Sequence, residues 1–566
     1  MKYLSEKTLR LVINGIGNTS EEIQLHVGGS KHIFIYVFLA SLFEKDEKMP
    51  IILKNVPDIS DVSFLYQYAI DAGADVEWNS EEKDITINRG ILLNNINPAY
   101  VVNCRSSLIS FTLHAIRFGE ATMINDIGGC KLGERKIDQH CRLWNSMGYV
   151  FSVENSEMSL KRKKDCMLND CFRFELDTTM GTVAALYALS HGMVKKIDNA
   201  SIRYEIDELI NFYNCLGYKI QRINRHIELK DSSSKKYGGI IFIIPDDIDE
   251  TIGWTCLCHA LGKRGIVYSH VPRQYVWNWL ELHSNKEIIW TQNKIIILPR
   301  EKYCKKSELS IVAFQNSKIA SDQQPILAVW GSCFYNKVRI TDKKFFNRYD
   351  YISELKKLGW HGEVDKESAW IEYRGRINST EEPLLIANNL RSGFAVMMGI
   401  LINREKAELL RFEQLKRGYS QLQNNLESIG VMYNVEDIPK SESVAVILQR
   451  KDGRYYVQQR DSNAVKNPEK ITLFGGHVES GELPDQAIKR ELQEELELEI
   501  NCELIEVFQV SKPLFSTSGL IYLYCARNIG DLKICHEGKI LLLDRQKICE
   551  QDTSFFLRCI LGMRFI

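Results

Sequence analysis

The sequence predicts an α/β protein of more than one module: two similar lobes built from a repeated helix–turn–strand unit, then a separate C-terminal α/β module. Three observations predict this. A chain of 566 residues is too long for one hydrophobic core, so two to four domains are expected. A helix–glycine–strand pattern recurs through the first three-quarters of the chain. Near Asn434–Ser443 the composition turns polar around Pro439, which reads as a linker, and a different strand pattern follows.

The repeat is marked by Gly73, Gly148, Gly217, Gly359 and Gly430, separated by 75, 69, 142 and 71 residues. The long gap is twice the short one, so a degenerate copy is expected around His283–Ser284, making six units. In the third unit Ile206, Leu209, Ile210 and Tyr213 fall at helical spacing before Gly217, which can take a left-handed cap, and Lys219–Leu229 then alternates as a strand. Such a unit cannot bury its own apolar face, so the units must pack on one another. Three per lobe would leave a cleft between two lobes. After the linker, Val444–Leu448 is apolar, Asp452-Gly453 is a hairpin turn and Arg454–Gln458 returns as a strand.

Composition narrows the function. The net charge is −1, which argues against a protein that coats a nucleic acid polymer. No apolar run approaches the roughly 20 residues that span a membrane. The start, Met1-Lys2-Tyr3-Leu4-Ser5-Glu6-Lys7, lacks the apolar core of a signal peptide, and the 15 cysteines show no disulfide rhythm; a cytoplasmic protein with reduced thiols is expected. Cys256, Cys258 and His259 read as part of a buried helix, Trp254–Leu261, rather than a metal site.

The densest motif is C-terminal: Gly476-His-Val-Glu-Ser-Gly481-Glu482, seven residues, then Arg490-Glu491-Leu492-Gln493-Glu494-Glu495. Glu491, Glu494 and Glu495 lie at i, i+3 and i+4, so one helix face carries three carboxylates. They repel one another unless a cation joins them, and hard divalent ions take such oxygen ligands. Arg490 can pair with Glu482 and hold the loop to the helix. This pattern resembles the Nudix box, with Glu497 standing where that family has glycine at the helix cap. The resemblance covers about Ser443–Ile566, within a 444–566 domain. It implies an α/β/α sandwich that hydrolyses a nucleoside diphosphate linked to another group. Mg2+ or Mn2+ would be held by Glu491, Glu494, Glu495 and Gly476, with Glu491 also catalytic.

The other motif is Gly128-Gly129-Cys130-Lys131-Leu132-Gly133-Glu134-Arg135. A cysteine in a glycine-rich loop beside a cation can work as an acid or nucleophile. With Asp138 and His140 the segment resembles the catalytic loop of the UDP-N-acetylglucosamine enolpyruvyl transferases. Further segments match in order: Ser30-Lys31, Arg105 in Asn103-Cys104-Arg105, Ser321-Asp322-Gln323-Gln324, Asn347-Arg348, Leu390-Arg391-Ser392 and Lys416-Arg417-Gly418-Tyr419. The resemblance covers roughly 10–433. It implies an inside-out α/β barrel lobe built twice within residues 1–433, lobe A being about 1–28 and 247–433 and lobe B about 29–246.

The chemistry implied is enolpyruvyl transfer from phosphoenolpyruvate to a nucleotide hydroxyl, with no cofactor. Lys31, Arg135, Arg391 and Arg417 would bind the phosphate and carboxylate, while Arg105 and Arg348 steer the nucleotide. Asp322 would take the hydroxyl proton and Cys130 would protonate the methylene carbon. Two departures fall on acceptor recognition: His32 replaces an asparagine that touches the sugar, and Lys136 replaces a proline that helps hold uracil. The expected acceptor is therefore a uridine-type nucleotide, UDP-N-acetylglucosamine or UMP, with Asp138 also in the binding set. The competing reading is a non-catalytic nucleotide-binding platform that regulates an active hydrolase. Retention of Lys31, Cys130 and Asp322 argues against it, since binding alone needs no proton donor.

Overall fold

The computed structural model describes residues 2–3, 9–17, 22–44, 50–125, 127, 137–154, 157–163, 170–230, 239–273, 275–299, 305–313, 319–342, 345, 348–365, 367–375, 383–403, 406–437, 441–479, 482, 484–510, 519–563 and 565. Six small sheets make up the first three-quarters, five of four strands and one of three. They divide three and three between two hydrophobic cores, one formed mainly by residues 33–244 and the other by 9–25 with 248–431. The strands alternate buried and exposed residues, as in Leu9–Ile16 and Lys306–Ala313, so each sheet turns one face to its core. At the centre of the second core lie the Ile248–Ala260, Gln324–Phe334 and Leu390–Asn403 helices. They are apolar almost all round, as helices without a water-facing side must be. Helix α1, Lys31–Phe43, has the same character in the first core. Cys256, Cys258 and His259 sit buried in such a helix, with His259 bonded to Trp330 and Glu287.

The repeat has a physical basis in the turns. Gly73, Gly148, Gly217, Gly359 and Gly430 all adopt left-handed backbone, with φ from 80° to 93°. In the degenerate sixth unit Asn285 and Lys286 take that conformation, at φ 56° and 65°, between the Tyr275–His283 helix and the Ile288–Trp290 strand. Asparagine tolerates the left-handed region, which is how the unit survives without its glycine.

The chain crosses between lobes at two neighbouring points. Ser30 N donates to Pro245 O at 2.7 Å, and Asp247 N to Gly28 O at 2.9 Å. A Cβ on Gly29 would lie 1.8 Å from Asn55 O, so only glycine fits this crossing. The crossing delivers Lys31 and His32 to the first turn of α1.

Two boundaries differ from expectation. The stretch read as a 434–443 linker is mostly strand: Val431–Asp437 completes a lobe A sheet against Leu9–Ile16, and Ser441–Arg450 opens the next module. Tyr433 and Val435 pack on the lobe A core, which outweighs the polar residues between them; Pro439 lies outside the described residues. Lys2–Tyr3, placed in lobe A by resemblance, instead pairs in parallel with Phe508 and Gln509 at the edge of the C-terminal sheet.

That C-terminal sheet has seven strands. Alternate residues of its Ser441–Arg450 strand face opposite ways. Val444, Val446 and Leu448 cover Ile488, Leu492 and Leu496 of the Pro484–Leu496 helix, while Ala445 and Ile447 cover Leu557, Ile560 and Leu561 of the Phe555–Gly562 helix. The acidic helix and the terminal helix therefore lie on opposite faces. The terminal helix also packs on lobe B, against α3 (Pro98–Asn103) and the Glu120–Ile124 strand; α2 (Ser60–Asp71) lies beside α3. No helix among the described residues is long and apolar enough to cross a membrane.

Candidate active sites

Two charged clusters line the contact between the lobes. In the first, Lys31 Nζ lies 2.5 Å from Asp61 Oδ2, and Arg417 Nε donates to Asp61 Oδ1 at 2.9 Å. Arg417 Nη2 also donates to the carbonyl of Asn103, the last residue of α3, at 2.7 Å. Burial pushes the Asp61 carboxyl up, but Arg417 and Lys31 outweigh it and hold the group at about 2. Asp61 thus ties a lobe A arginine to a lobe B lysine.

The second cluster centres on Asp322. Arg348 Nη1 donates to its Oδ1 at 2.5 Å, and Arg391 Nη2 donates to Asp249 Oδ2 at 2.9 Å. Burial opposes ionisation of Asp322, yet Arg348, Arg391, His32 and Arg203 together hold its carboxyl far below the usual carboxylate range. Asp249 moves the other way: burial, then Asp322 and Asp247, raise it against the pull of Arg391. From lobe B, Arg203 forms a bidentate pair with Glu205, its Nη2 donating at 2.8 Å. Arg348 and Arg391 are 4% and 3% exposed, and Arg348 Nε and Arg391 Nη1 have no hydrogen-bond partner among the described residues. Buried guanidinium N–H groups left this way suit an anion.

The structure therefore brings together six sequence-predicted groups in two sets: Lys31 and Arg417, and His32, Asp322, Arg348 and Arg391. Arg105 lies after α3 in lobe B, where its charge reaches His140; burial first, and then Arg105, push His140 down to about 4. Asp138 opens the Asp138–Ser146 helix and acts in the opposite direction on His140. Cys130 and Arg135 lie outside the described residues. Sequence reasoning missed Asp61, Asp249, Arg203 and Glu205. The acids 246–250 carry no motif of their own. The signal was the apolar helix that follows them: a helix with no polar face must bury its own first turn.

In the C-terminal module Arg490 makes the expected pair, donating to Glu482 at 3.0 Å and 3.2 Å and to His477 O at 2.8 Å. It also donates to Glu491 at 3.0 Å and Glu494 at 2.9 Å. The three acids at i, i+3 and i+4 do not converge on one point: no group of three ligating side chains does so among the described residues. Glu494 is turned outward to Arg490, whereas Glu495 is buried, accepting from Gly475 N at 3.2 Å and Gln458 Nε2 at 3.3 Å. Burial, then Glu491 and Glu537, push Glu495 up to about 7. A Cβ on Gly476 would lie 2.2 Å from Glu491 Oε1, so glycine alone lets that carboxylate lie against the backbone. Glu491 and Glu495 lie beside the Gly475-Gly476 backbone, and Glu495 has no cation beside it, which is the oxygen-donor chemistry a hard divalent ion takes; Arg490 occupies Glu491 and Glu494. Glu497 caps the helix at φ 51°, with Leu498 N donating to Leu492 O at 3.2 Å and His536 Nε2 2.9 Å from Glu497 Oε1.

With this fold and these sites, the chain belongs to the EPSP synthase (3-phosphoshikimate 1-carboxyvinyltransferase) family, which matches residues 14–426, and carries a NUDIX domain over residues 439–544. Both are enzyme families. Among relatives, the UDP-N-acetylglucosamine 1-carboxyvinyltransferase of Buchnera aphidicola subsp. Baizongia pistaciae is 26% identical over 427 residues, covering 74% of this chain and 98% of that one. UDP-N-acetylglucosamine 1-carboxyvinyltransferase 1 of Staphylococcus epidermidis is 24% identical over 437 residues, covering 76% and 99%. In fold, the chain is similar to the enolpyruvyl transferase NikO from Streptomyces tendae, with TM-score 0.63 and 16% identity, over 77% of this chain and all (100%) of that one.

Proposed function

We propose that the chain is a bifunctional enzyme. Its two lobes, read as a pair of inside-out α/β barrels, transfer the enolpyruvyl group of phosphoenolpyruvate to a hydroxyl of a uridine-type nucleotide, UDP-N-acetylglucosamine or UMP. Its C-terminal α/β/α sandwich hydrolyses a nucleoside diphosphate-linked compound. The observation that carries the transferase half is Asp322, a partly buried carboxylate held ionised by Arg348 and Arg391, with His32 of the other lobe adding to that pull.

An ionised carboxylate in that position accepts the proton of the acceptor hydroxyl as its oxygen bonds to C2 of phosphoenolpyruvate. Cys130 delivers a proton to C3. Loss of a C3 proton then restores the double bond as phosphate leaves. Arg391 and Arg348 present unpartnered N–H groups to the carboxylate or phosphate, and Lys31 and Arg417 add positive charge at Asp61. His32 stands where relatives of this kind place a sugar-contacting asparagine, so the choice between UDP-N-acetylglucosamine and UMP falls on it. In the C-terminal module Glu491, Glu494, Glu495 and the Gly476 carbonyl would hold Mg2+ or Mn2+. The ion would neutralise the diphosphate and activate the attacking water. Arg490 and Glu482 hold the loop against the acidic helix.

The test is phosphate release and product mass from phosphoenolpyruvate mixed with UMP, UDP or UDP-N-acetylglucosamine. One acceptor should gain an enolpyruvyl ether. The transferase reading fails if no acceptor does so while the C-terminal module turns over a nucleoside diphosphate compound. Mn2+ binding, followed by electron paramagnetic resonance, should be lost in Glu495→Gln; undiminished binding would remove Glu495 from the metal site.

A further inference from the structure

We infer that the C-terminal module is a brace for the transferase cleft: its terminal helix fixes α3, and α3 carries an acceptor for the arginine that joins the two lobes. The contact begins at Gly562. A Cβ there would lie 2.9 Å from Pro98 Cγ and 3.4 Å from Ile124 Cγ2, so the helix is seated against lobe B as closely as glycine allows. Ala99, the next residue of α3, is buried in the core of the C-terminal module rather than in that of its own lobe.

From there the connection is short and stiff. α3 spans only six residues, Pro98–Asn103. Its first turn is capped by Asn97, whose Oδ1 accepts from Ala99 N at 2.7 Å and whose amide also bonds Asp71 of α2. Its last residue offers the Asn103 carbonyl to Arg417, while α2 offers Asp61 to the same guanidinium. Both acceptors of the lobe A arginine thus stand on α3, which touches the terminal helix, and on α2, which packs against α3. A direct route to lobe A is interrupted. A cavity of about 1200 Å3 lies between Met563 and Glu506 of the C-terminal module and Lys416 and Gln423 of lobe A. Among the described residues the terminal helix meets lobe B at α3 and at the Glu120–Ile124 strand, and of these α3 carries an acceptor of the latch.

The acidic helix lies on the other face of the C-terminal sheet, so disturbing this dock leaves the hydrolase site intact.

The experiment is hydrogen–deuterium exchange on the full chain carrying Gly562→Val, whose side chain wedges the dock open. Exchange is expected to rise about tenfold or more in 98–103 and in the lobe A segment 412–419, with 484–496 unchanged. The lobe A segment decides the matter, because a purely local contact would loosen 98–103 alone. Should the valine also unprotect 484–496, Ala99→Asp opens the same dock from lobe B. Unchanged exchange at 412–419 in both variants overturns the inference. None of these readings depends on turnover, so the brace can fail or stand whatever the acceptor proves to be.

Discussion

The two charged sites of this chain solve opposite problems. At the lobe contact four carboxylates are matched by cations: Asp61 by Lys31 and Arg417, Asp322 by Arg348, Asp249 by Arg391, Glu205 by Arg203. In the acidic helix the balance is missing; Glu495 is buried beside Glu491 and Glu537 with no cation of its own, and its carboxyl rises to about 7. A site that recognises an anionic substrate keeps its arginines buried, and buried arginines need internal carboxylates until the substrate arrives. A site that recognises a cation instead stores unshielded negative charge. Asp61 and Asp322 are shifted down by the cations beside them, whereas Glu495, without one, is shifted up.

The comparison can be broken most severely at Asp322. Asp322→Asn should lower enolpyruvyl transfer by roughly 10²–10⁴-fold, the usual worth of a general base, and leave nucleotide hydrolysis unchanged. Equal loss of both activities would mean that the sites are not separable. Next in size, Asp61→Asn strands Lys31 and Arg417 without their shared anion. Breaking such a buried pair costs about 3–5 kcal/mol, read as a fall in the thermal midpoint. Millimolar phosphate should recover more of that loss than it adds to the unmodified chain; no differential recovery would show that the cluster does not bind anions.

A smaller effect sharpens the sign of the argument. Glu250 is buried and accepts from Gly28 N, Gln421 N and Trp254 Nε1; burial and then Asp247 raise it to about 7. The folded chain therefore holds that proton more tightly than the unfolded one. Its contribution to stability is complete below the ordinary value of 4.5 and is lost as pH rises to about 7. For Asp61 the window is reversed, stability being lost as pH falls from 3.8 towards about 2. Denaturant titrations of Glu250→Gln should lack roughly 2–3 kcal/mol of the fall seen in the unmodified chain between pH 5 and 8; an unaltered slope would remove Glu250 from that account. Smallest is Glu497→Gly, which relieves a left-handed glutamate at φ 51° and should stabilise the C-terminal module by about 1 kcal/mol, provided the His536 contact is worth less than that.

Much of this was legible in the residues. Five glycines at regular spacing located the turns because a left-handed cap leaves few alternatives to glycine. Lys31, Asp322, Arg348, Arg391 and Arg417 could be chosen because their segments match, in order, the motifs of the enolpyruvyl transferases. The Glu482–Arg490 pair, a loop acid held by a helix arginine, followed from the motif that carries both. What stayed hidden depends on contacts distant in sequence. Asp61 is an ordinary acid in a helix first turn until Arg417 folds onto it from 356 positions away. Asn434–Asp437 looked like linker because it is polar and its partner strand lies more than four hundred residues earlier. Glu491, Glu494 and Glu495 shared a helix face as expected, but Arg490 draws Glu494 aside, a side-chain choice that periodicity does not fix.

The crossing at Ser30 and Pro245 has a consequence for how the chain assembles. Lobe B enters and leaves through two points one hydrogen bond apart, so it is an insertion whose ends meet. It can complete its own core from a contiguous stretch. Lobe A cannot, since Leu9 N must wait for Glu413 across 404 positions. During synthesis the inserted lobe is finished while the strands that flank it are still unpaired, and the outer lobe closes late around an already rigid knot of structure.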